Sequence, residues 1–215
     1  MKKKARKLYV DISESISELT LTSAFIGASK NFFILESNFQ DAKNVPFNQY
    51  LHYLSQLALC IELGLKNVIK ITNKVWKSHD LQDLFVEANK ESNNSISQKF
   101  FGSYNERFKN DFLTLLGNIK NLFEEARYCY GASLSYFFHD NFLIKDDIID
   151  FTKISTKNEP LLMLKLLLNE LGEYHNFIHS SSLGVIDKSL DEESQVQNII
   201  REKFKIQENI VAKEK

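Results

Sequence analysis

The stretch FNQYLHYLSQLALCIELGLKNVIKITNKVW, residues 47–76, is the part of the chain that decides the fold. Its apolar side chains recur at the i, i+3, i+4 and i+7 spacing that lines one face of an α-helix. They are Phe47, Tyr50, Leu51, Leu54, Leu57, Ala58, Ile61, Leu65, Val68 and Ile69. The pattern predicts a long helix with one buried face. Pro46, directly before it, is expected in the first helical turn, where the missing backbone N–H is not needed.

Further helices are predicted on both sides of this stretch. Residues 8–39 predict a helix that is interrupted near Gly27. Asp80 is a good N-cap for a short helix starting at Leu81, and Asp83 adds negative charge to its first turn. Apolar spacing then predicts one long helix over about 101–143, and another over about 159–179 with Pro160 at its start.

The composition agrees with a helical protein. Only seven glycines and two prolines occur in 215 residues, while 43% of the residues are hydrophobic. Because glycine and proline punctuate strands and turns, their scarcity favours a few long helices over many short strands. We therefore expect an all-α antiparallel bundle with extra helices at both ends. Residues 1–185 are predicted to form a single domain, and residues 186–215 a charged C-terminal helix or tail.

Charge and hydropathy limit the possible partners and locations. The formal net charge is -1, so any binding of nucleic acid must come from a local patch. Cys60 and Cys129 lie in apolar helical patterns and are expected to be reduced, structural thiols. The basic N-terminus lacks the apolar region of a signal peptide, and the apolar run 161–168 is broken by Lys165 and too short to cross a bilayer. We expect a cytoplasmic protein that does not associate with membranes.

Two stretches resemble the HEPN family of helical bundles. LALCIELGLK (57–66), followed by SHDLQDLF (78–85), is similar to the family's helix carrying "E…LK" and to the "GHDL..L" turn after it. FEEARYCY (123–130) resembles the "F…RY.YE" segment of some members, including relatives associated with abortive phage infection. The resemblance covers residues 47–142. Gly131 stands where those relatives often have Glu, and Ser78 stands where they often have Gly.

The resemblance implies a helical bundle that commonly dimerises and needs no cofactor. Many members are metal-independent endoribonucleases in which an Arg is followed, after four to six residues, by a His. No arginine and histidine of this chain have that spacing. Arg127 and His139 are twelve positions apart, roughly 18 Å along one helix. They can meet only across a dimer or after a helix break near Gly131.

Several charged residues are candidates for a site. Glu62 flanks the apolar face of its helix, so we expect it to be partly buried and in need of a partner. Arg127 is either that partner, in a structural ion pair, or is exposed in a dimer cleft where it binds a phosphate. His79 is either a catalytic residue or, with Asp80, part of a capping turn. A stripe of lysines opposite the apolar face is suited to an RNA backbone, although a solvated polar face has the same pattern. These lysines are Lys66, Lys70, Lys74 and Lys77.

Two patterns typical of metal sites are incomplete. DDIID, residues 146–150, would place Asp146 and Asp150 one turn apart on a helix, as in proteins that hold magnesium on a diphosphate. A second metal motif is missing, and a solvated or helix-capping acidic cluster explains the run equally well. His175 and His179 lie four positions apart but lack a third ligand. We predict no metal site.

The function expected from these features is that of a divergent HEPN-like protein in defence against phage or in a stress response. It would bind RNA, a nucleotide or a partner protein, and it would form a homodimer or a complex with that partner. One alternative is a metal-independent endoribonuclease in which His139 or His79 of the other protomer completes the site of Arg127. Another is a purely structural interaction module that docks through its charged C-terminal segment.

Overall fold

The computed structural model describes residues 2–69, 78–102, 106–145 and 147–174, most of which are helical. The helices are α1 (Lys2–Ala42), α2 (Phe47–Val68), α3 (Leu81–Glu91), α4 (Ser95–Phe101), α5 (Glu106–Asn118), α6 (Leu122–Tyr128), α7 (Phe151–Lys157) and α8 (Glu159–Tyr174). Two short 3-10 turns, Ala132–Tyr136 and Asp140–Phe142, follow α6. The predicted all-helical fold is confirmed.

Helix α2 is the centre of the bundle. It runs antiparallel to α1, because Thr22 near the middle of α1 bonds Asn67 at the end of α2 (3.0 Å), whereas Phe39 near the end of α1 contacts Tyr53 in the first half of α2. Helices α3, α6 and α8 also contact α2. The sequence pattern predicted one buried face for α2, whereas the structure covers the helix on several sides.

Aromatic side chains fill much of the single hydrophobic core. One group of rings, with centroids 5.0–5.8 Å apart, joins α1, α2 and α7: Phe32, Phe39, Tyr53 and Phe151. A second group, with centroids 4.6–6.5 Å apart, joins α3, α4 and α5: Phe85, Phe100, Phe108 and Phe112. Both groups belong to one continuous cluster that extends from Phe25 to Leu171. The described part of the chain thus shares one core.

A buried ion pair connects the first and last described helices. The Lys165 ammonium on α8 lies 2.5 Å from Oε1 of Glu36 on α1, and the two side chains are 8% and 4% exposed. The Tyr53 hydroxyl on α2 donates to the same carboxylate oxygen at 3.0 Å. Lys165, which interrupts the apolar run 161–168, therefore neutralises a carboxylate that α1 and α2 bury.

A small antiparallel sheet, which periodicity did not predict, connects the start of α2 with the start of α7. Its strands β1 (Asn44–Pro46), β2 (Leu143–Lys145) and β3 (Ile148–Asp150) are ordered β1-β3-β2, with Val45 opposite Ile149. Pro46 therefore ends a strand and precedes the first helical turn, instead of lying within it. None of the helices in the described part of the chain combines the length and apolar character needed to span a bilayer.

The described residues of DDIID do not lie together on one helix, as a magnesium motif of this kind would require. Asp147 lies in the turn between β2 and β3, where its carbonyl oxygen accepts a hydrogen bond from the Phe47 N–H at 2.7 Å. Asp150 ends β3 and caps α7, because its carboxylate accepts the Lys153 N–H at 2.9 Å. The spacing of the run is thus explained by a turn and a cap, while Asp146 lies outside the described residues.

Three other predictions about the helices are also wrong. The helix expected over 101–143 is divided, since α5 ends at Asn118 and α6 ends at Tyr128. The interruption expected at Gly27 is absent, and α1 continues through it. The helix expected to reach Trp76 ends at Val68, and residues 70–77 lie outside the described residues.

Other predicted helix ends are confirmed. Asp80 caps α3, since its carboxylate accepts the N–H groups of Gln82 and Asp83 at 2.9 and 3.2 Å. Helix α8 begins at Glu159 with Pro160 in its first turn. The predicted end of this helix, which includes His175 and His179, lies outside the described residues. The predicted domain boundary at residue 185 and the tail 186–215 lie outside them as well.

Candidate functional site

The first group of candidate residues surrounds the buried carboxylate of Glu62. The residue is 4% exposed, as expected, but its partner is not Arg127. Lys66, one turn along α2, donates to Oε1 at 2.7 Å, and Nδ1 of His79 lies 2.9 Å from the same oxygen. Among the described residues Oε2 has no hydrogen-bond partner. The prediction of a Glu62–Arg127 pair is therefore wrong, while the need of Glu62 for a cationic partner is met locally.

Lys66 cannot belong to an exposed basic stripe. It is 7% exposed, because the helices around α2 cover the side that the helical pattern assigned to solvent. A buried ammonium needs a carboxylate partner, and Glu62 provides it. The assignment of Lys66 to RNA binding is corrected accordingly. Lys70, Lys74 and Lys77 lie outside the described residues.

His79 has the geometry of a carboxylate-oriented imidazole. A carboxylate only accepts hydrogen bonds, so in the neutral imidazole the contact with Glu62 places the proton on Nδ1 and leaves Nε2 as the acceptor. The His79 side chain is 59% exposed while that of Glu62 is 5% exposed. The pair thus presents an oriented, accessible ring at the turn before α3.

The second group lies along α6 and the turn that follows it, and consists of Phe123, Arg127, Tyr128 and Tyr130, here called the Arg127 patch. The two tyrosines are 62% and 57% exposed, and their rings are stacked with centroids 6.4 Å apart and planes 27° apart. The Arg127 Cζ atom lies 5.5 Å from the Tyr128 ring centroid and 6.0 Å from that of Phe123. Phe123 packs against the core. The patch is therefore an exposed aromatic surface with a guanidinium beside it.

The end of α6 explains why two tyrosines separated by one residue share a side. On a continuous helix, residues two positions apart point in different directions. Here Cys129 adopts left-handed dihedral angles (φ 57°), which ends the helix and reverses the chain. The N–H groups of Cys129 and Tyr130 both bond the Glu125 carbonyl. The reversal brings the ring of Tyr130 onto that of Tyr128.

Gly131 completes this turn in a conformation suited only to glycine. Its φ is 109°, and a Cβ atom built on it would lie 2.2 Å from the Glu125 carboxylate. That carboxylate is folded under the turn, where it accepts the Ser133 N–H at 2.7 Å. Glycine at position 131 is thus a steric requirement of this turn.

The other candidate histidine is not joined to Arg127 within one chain. His139 is exposed in the segment between the two 3-10 turns, with its ring 6.0 Å from that of Phe142. The helix break near Gly131 exists, but neither a hydrogen bond nor a ring contact connects Arg127 with His139. Within the described ranges, no three histidine, cysteine or acidic side chains are grouped so that they can hold a metal ion.

The two cysteines have different environments. Cys60 is buried in α2, as predicted, and burial raises the pKa of its thiol to about 12. Cys129 is exposed between the tyrosines of the Arg127 patch, so its prediction as a structural thiol in a helical pattern is wrong. The left-handed turn removes it from the helix face that periodicity assigned to it.

Tyr128 and Tyr130 are the residues of this surface that the sequence reasoning missed. Their only local signal is the sequence RYCYG, in which glycine follows an aromatic pair at the end of a helix. Comparisons with family models, with curated proteins and with solved structures found no match to this chain.

Proposed function

We propose that this protein binds RNA through the Arg127 patch and does so without cleaving it. The observation that supports the proposal is the pair of exposed, stacked tyrosine rings with the Arg127 guanidinium 5.5 Å from one of them. Proteins that bind single strands combine aromatic rings, on which bases stack, with cations that contact the backbone. The HEPN resemblance supports a role in phage defence or in a stress response.

The electrostatics of the patch fit an anionic ligand. Arg127 forms no ion pair with a carboxylate of the described residues, so its guanidinium can pair with phosphate. The nearby Glu125 carboxylate is directed under the turn, where the Ser133 N–H binds it. A net charge of -1 for the whole chain makes such a local cation necessary for binding RNA.

We expect replacement of either tyrosine to weaken RNA binding strongly. Tyr128→Ala or Tyr130→Ala should cost about 1–3 kcal/mol of stacking energy, roughly 5- to 150-fold in Kd at 25 °C. Tyr128→Phe should retain most of the affinity, because it keeps the ring. The measurement is fluorescence anisotropy with a labelled 12-nucleotide single-stranded RNA. Melting temperatures of all variants would confirm that they are folded.

A matched control distinguishes the loss of a contact in the Arg127 patch from the loss of one positive charge anywhere on the surface. Arg107 is 82% exposed on α5 and lies 3.5 Å from Asp111. Arg127→Ala should weaken binding clearly more than Arg107→Ala, although both remove one positive charge. Equal losses would show that the RNA does not use the patch, and the proposal would be abandoned.

Cys129 offers a test on the unmodified protein. It is exposed between Tyr128 and Tyr130, so bound RNA should slow its alkylation several-fold. Cys60 should not react in either state, because burial raises the pKa of its thiol to about 12 and keeps it protonated. Mass spectrometry of timed iodoacetamide reactions would measure both sites. An unchanged Cys129 rate with RNA at saturation would contradict binding at this surface.

A second candidate function, metal-independent RNA cleavage, is favoured by the contact between His79 and Glu62. A buried carboxylate that fixes the protonated nitrogen of an exposed imidazole prepares the other nitrogen for proton transfer. His139 contacts Phe142 and has no such carboxylate among the described residues. In a dimer, His79 would thus complete the site of Arg127 more effectively than His139.

This second function predicts a specific difference between two histidine variants. With EDTA present, cleavage of RNA by the pure protein should be lost in His79→Gln and retained in His139→Gln. Since removal of a general acid or base typically costs 10²–10⁴-fold in rate, the loss would be easy to measure. RNA binding without cleavage by the wild-type protein would exclude this function and leave the binding proposal intact.

A further inference from the structure

We propose that a cleft between α5, the first 3-10 turn and the start of α8 binds a short aliphatic diamine in its protonated form. The cleft has a volume of about 180 Å³, and residues of all three elements line it. Its described lining contains no residue of the Arg127 patch, so the inference is independent of the proposed RNA binding. It follows from the apolar floor of the cleft, the carboxylates that line it, its fixed walls and its size.

The floor of the cleft is apolar. Leu115 of α5 and Met163 of α8 are its buried lining residues, and Pro160 in the first turn of α8 also lines it. These side chains offer water no hydrogen-bonding groups. Replacement of that water by a hydrocarbon chain is therefore favourable, which suits a ligand with an aliphatic middle.

Two carboxylates from different helices line the same cleft. Asp111 belongs to α5, and Glu159 lies in the first turn of α8. Asp111 also lies 3.5 Å from Arg107, but both side chains are largely exposed, and such surface pairs contribute little. An ammonium group that donates hydrogen bonds to Asp111 can therefore replace the guanidinium. The two carboxylates suit a ligand with a positive charge at each end.

Two buried polar side chains fix the walls of the cleft. Asn158 donates from Nδ2 to the Tyr136 carbonyl at 3.1 Å and accepts the Leu161 N–H at 2.9 Å, which joins the 3-10 turn to the start of α8. The Ser133 hydroxyl donates to the Asn118 carbonyl at 3.3 Å, which joins the same turn to the end of α5. The walls are thus in place before a ligand arrives, so binding orders little of the protein.

The size of the cleft suits a chain of about four carbons with a nitrogen at each end. At about 30 Å³ for each water molecule of the liquid, 180 Å³ holds roughly six non-hydrogen atoms. 1,4-Diaminobutane has this size. Its methylene groups would cover the floor, and its ammonium groups would reach the carboxylates. Thr114, Asn118 and Tyr136, which also line the cleft, offer oxygen atoms to the remaining N–H groups.

Met163 provides a direct signal for the cleft. The chain has only two methionines, and Met1 lies outside the described residues. The full chain, labelled with carbon-13 at the methionine methyl groups, should therefore give two NMR resonances, and Met163→Leu identifies the one from the cleft. Titration with 1,4-diaminobutane should shift this resonance with a Kd of about 1 mM or lower, a range that ligands of this size reach. The uncharged 1,4-butanediol and Mg²⁺ should leave it unchanged.

Variants of the lining separate a site from general attraction to negative charge. Glu159→Gln should weaken binding roughly fivefold or more, whereas Glu91→Gln, which removes an exposed carboxylate at the end of α3, should not weaken it. Thr114→Trp keeps both carboxylates but fills the cleft, so it should abolish binding. Arg107→Ala should instead tighten binding about two- to fivefold, because it frees Asp111 from its ion pair. Melting temperatures would confirm that the variants are folded.

Several results would overturn the diamine site. One is a Met163 resonance that shows no saturable shift with 1,4-diaminobutane, and another is an equal shift with 1,4-butanediol or with Mg²⁺. Losses of equal size in Glu159→Gln and Glu91→Gln, or full binding by folded Thr114→Trp, would show that the amine is attracted to surface charge and does not occupy the cleft. Each of these results leaves the RNA proposal in place, because RNA binding is tested with variants of Tyr128 and Tyr130.

Discussion

Replacement of Lys165 by alanine should lower the free energy of unfolding by about 3–5 kcal/mol, the usual cost of leaving a buried charge without its partner. The Lys165 ammonium is 2.5 Å from Glu36, and both side chains are almost fully buried. Without it, the Glu36 carboxylate retains only the Tyr53 hydroxyl as a described donor. Urea unfolding followed by circular dichroism would measure the difference.

An exposed lysine provides the control for this change. Lys157, in the last turn of α7, is exposed, so Lys157→Ala should alter stability by no more than about 0.5 kcal/mol. A triple variant, Glu36→Leu with Tyr53→Phe and Lys165→Met, removes the whole polar group and should recover much of the stability, because apolar side chains of similar volume often replace buried ion pairs well. Similar losses in Lys165→Ala and Lys157→Ala would contradict the buried pair.

Gly131→Ala should destabilise the protein by about 3 kcal/mol and reduce RNA affinity at least tenfold. The dihedral angles of Gly131, φ 109° and ψ 162°, belong to a region that costs other residues about 1–3 kcal/mol. The added methyl group also displaces the Glu125 carboxylate, and an unpaired Ser133 N–H adds about 1–3 kcal/mol. When the turn shifts, Tyr130 no longer stacks on Tyr128. Urea unfolding and anisotropy would measure the two effects.

Gly27 is the matched position for this substitution. It lies within α1, and apart from the backbone of its own helical turns no atom lies within 4 Å of the place where its Cβ would be. Gly27→Ala should therefore stabilise the protein by about 0.5–1 kcal/mol, the difference in helix propensity, and leave RNA binding unchanged. If Gly131→Ala instead unfolded at the same urea concentration as the wild-type protein and bound RNA normally, Gly131 would not be the residue that fixes the position of the Tyr130 ring.

The spacing of apolar residues predicted the helices best where one uninterrupted pattern corresponds to one helix. This is why α2 and α8 were anticipated, and why Asp80 was recognised as a cap. It failed over residues 101–143, because apolar spacing continues through the left-handed Cys129 and does not register a reversal of the chain. The small sheet was missed because each of its strands has only three residues.

The candidate site was only partly accessible from the sequence for a related reason. A helical pattern shows which residues of α2 are apolar but not which helices will cover the remainder. Lys66 was therefore assigned to solvent, although the surrounding bundle buries it against Glu62. Arg127 was identified through its resemblance to a family motif, whereas Tyr128 and Tyr130 come together only through the turn geometry at Gly131.

The ion pair between Glu36 and Lys165 has a consequence for synthesis of the chain. Glu36 leaves the ribosome before its partner Lys165, which belongs to the last helix that the structure describes. Until α8 has been translated, packing of α1 against α2 would bury a carboxylate without its countercharge. Closure of the core must therefore wait for α8, and nascent chains that stop before α8 should remain open to proteases and chaperones.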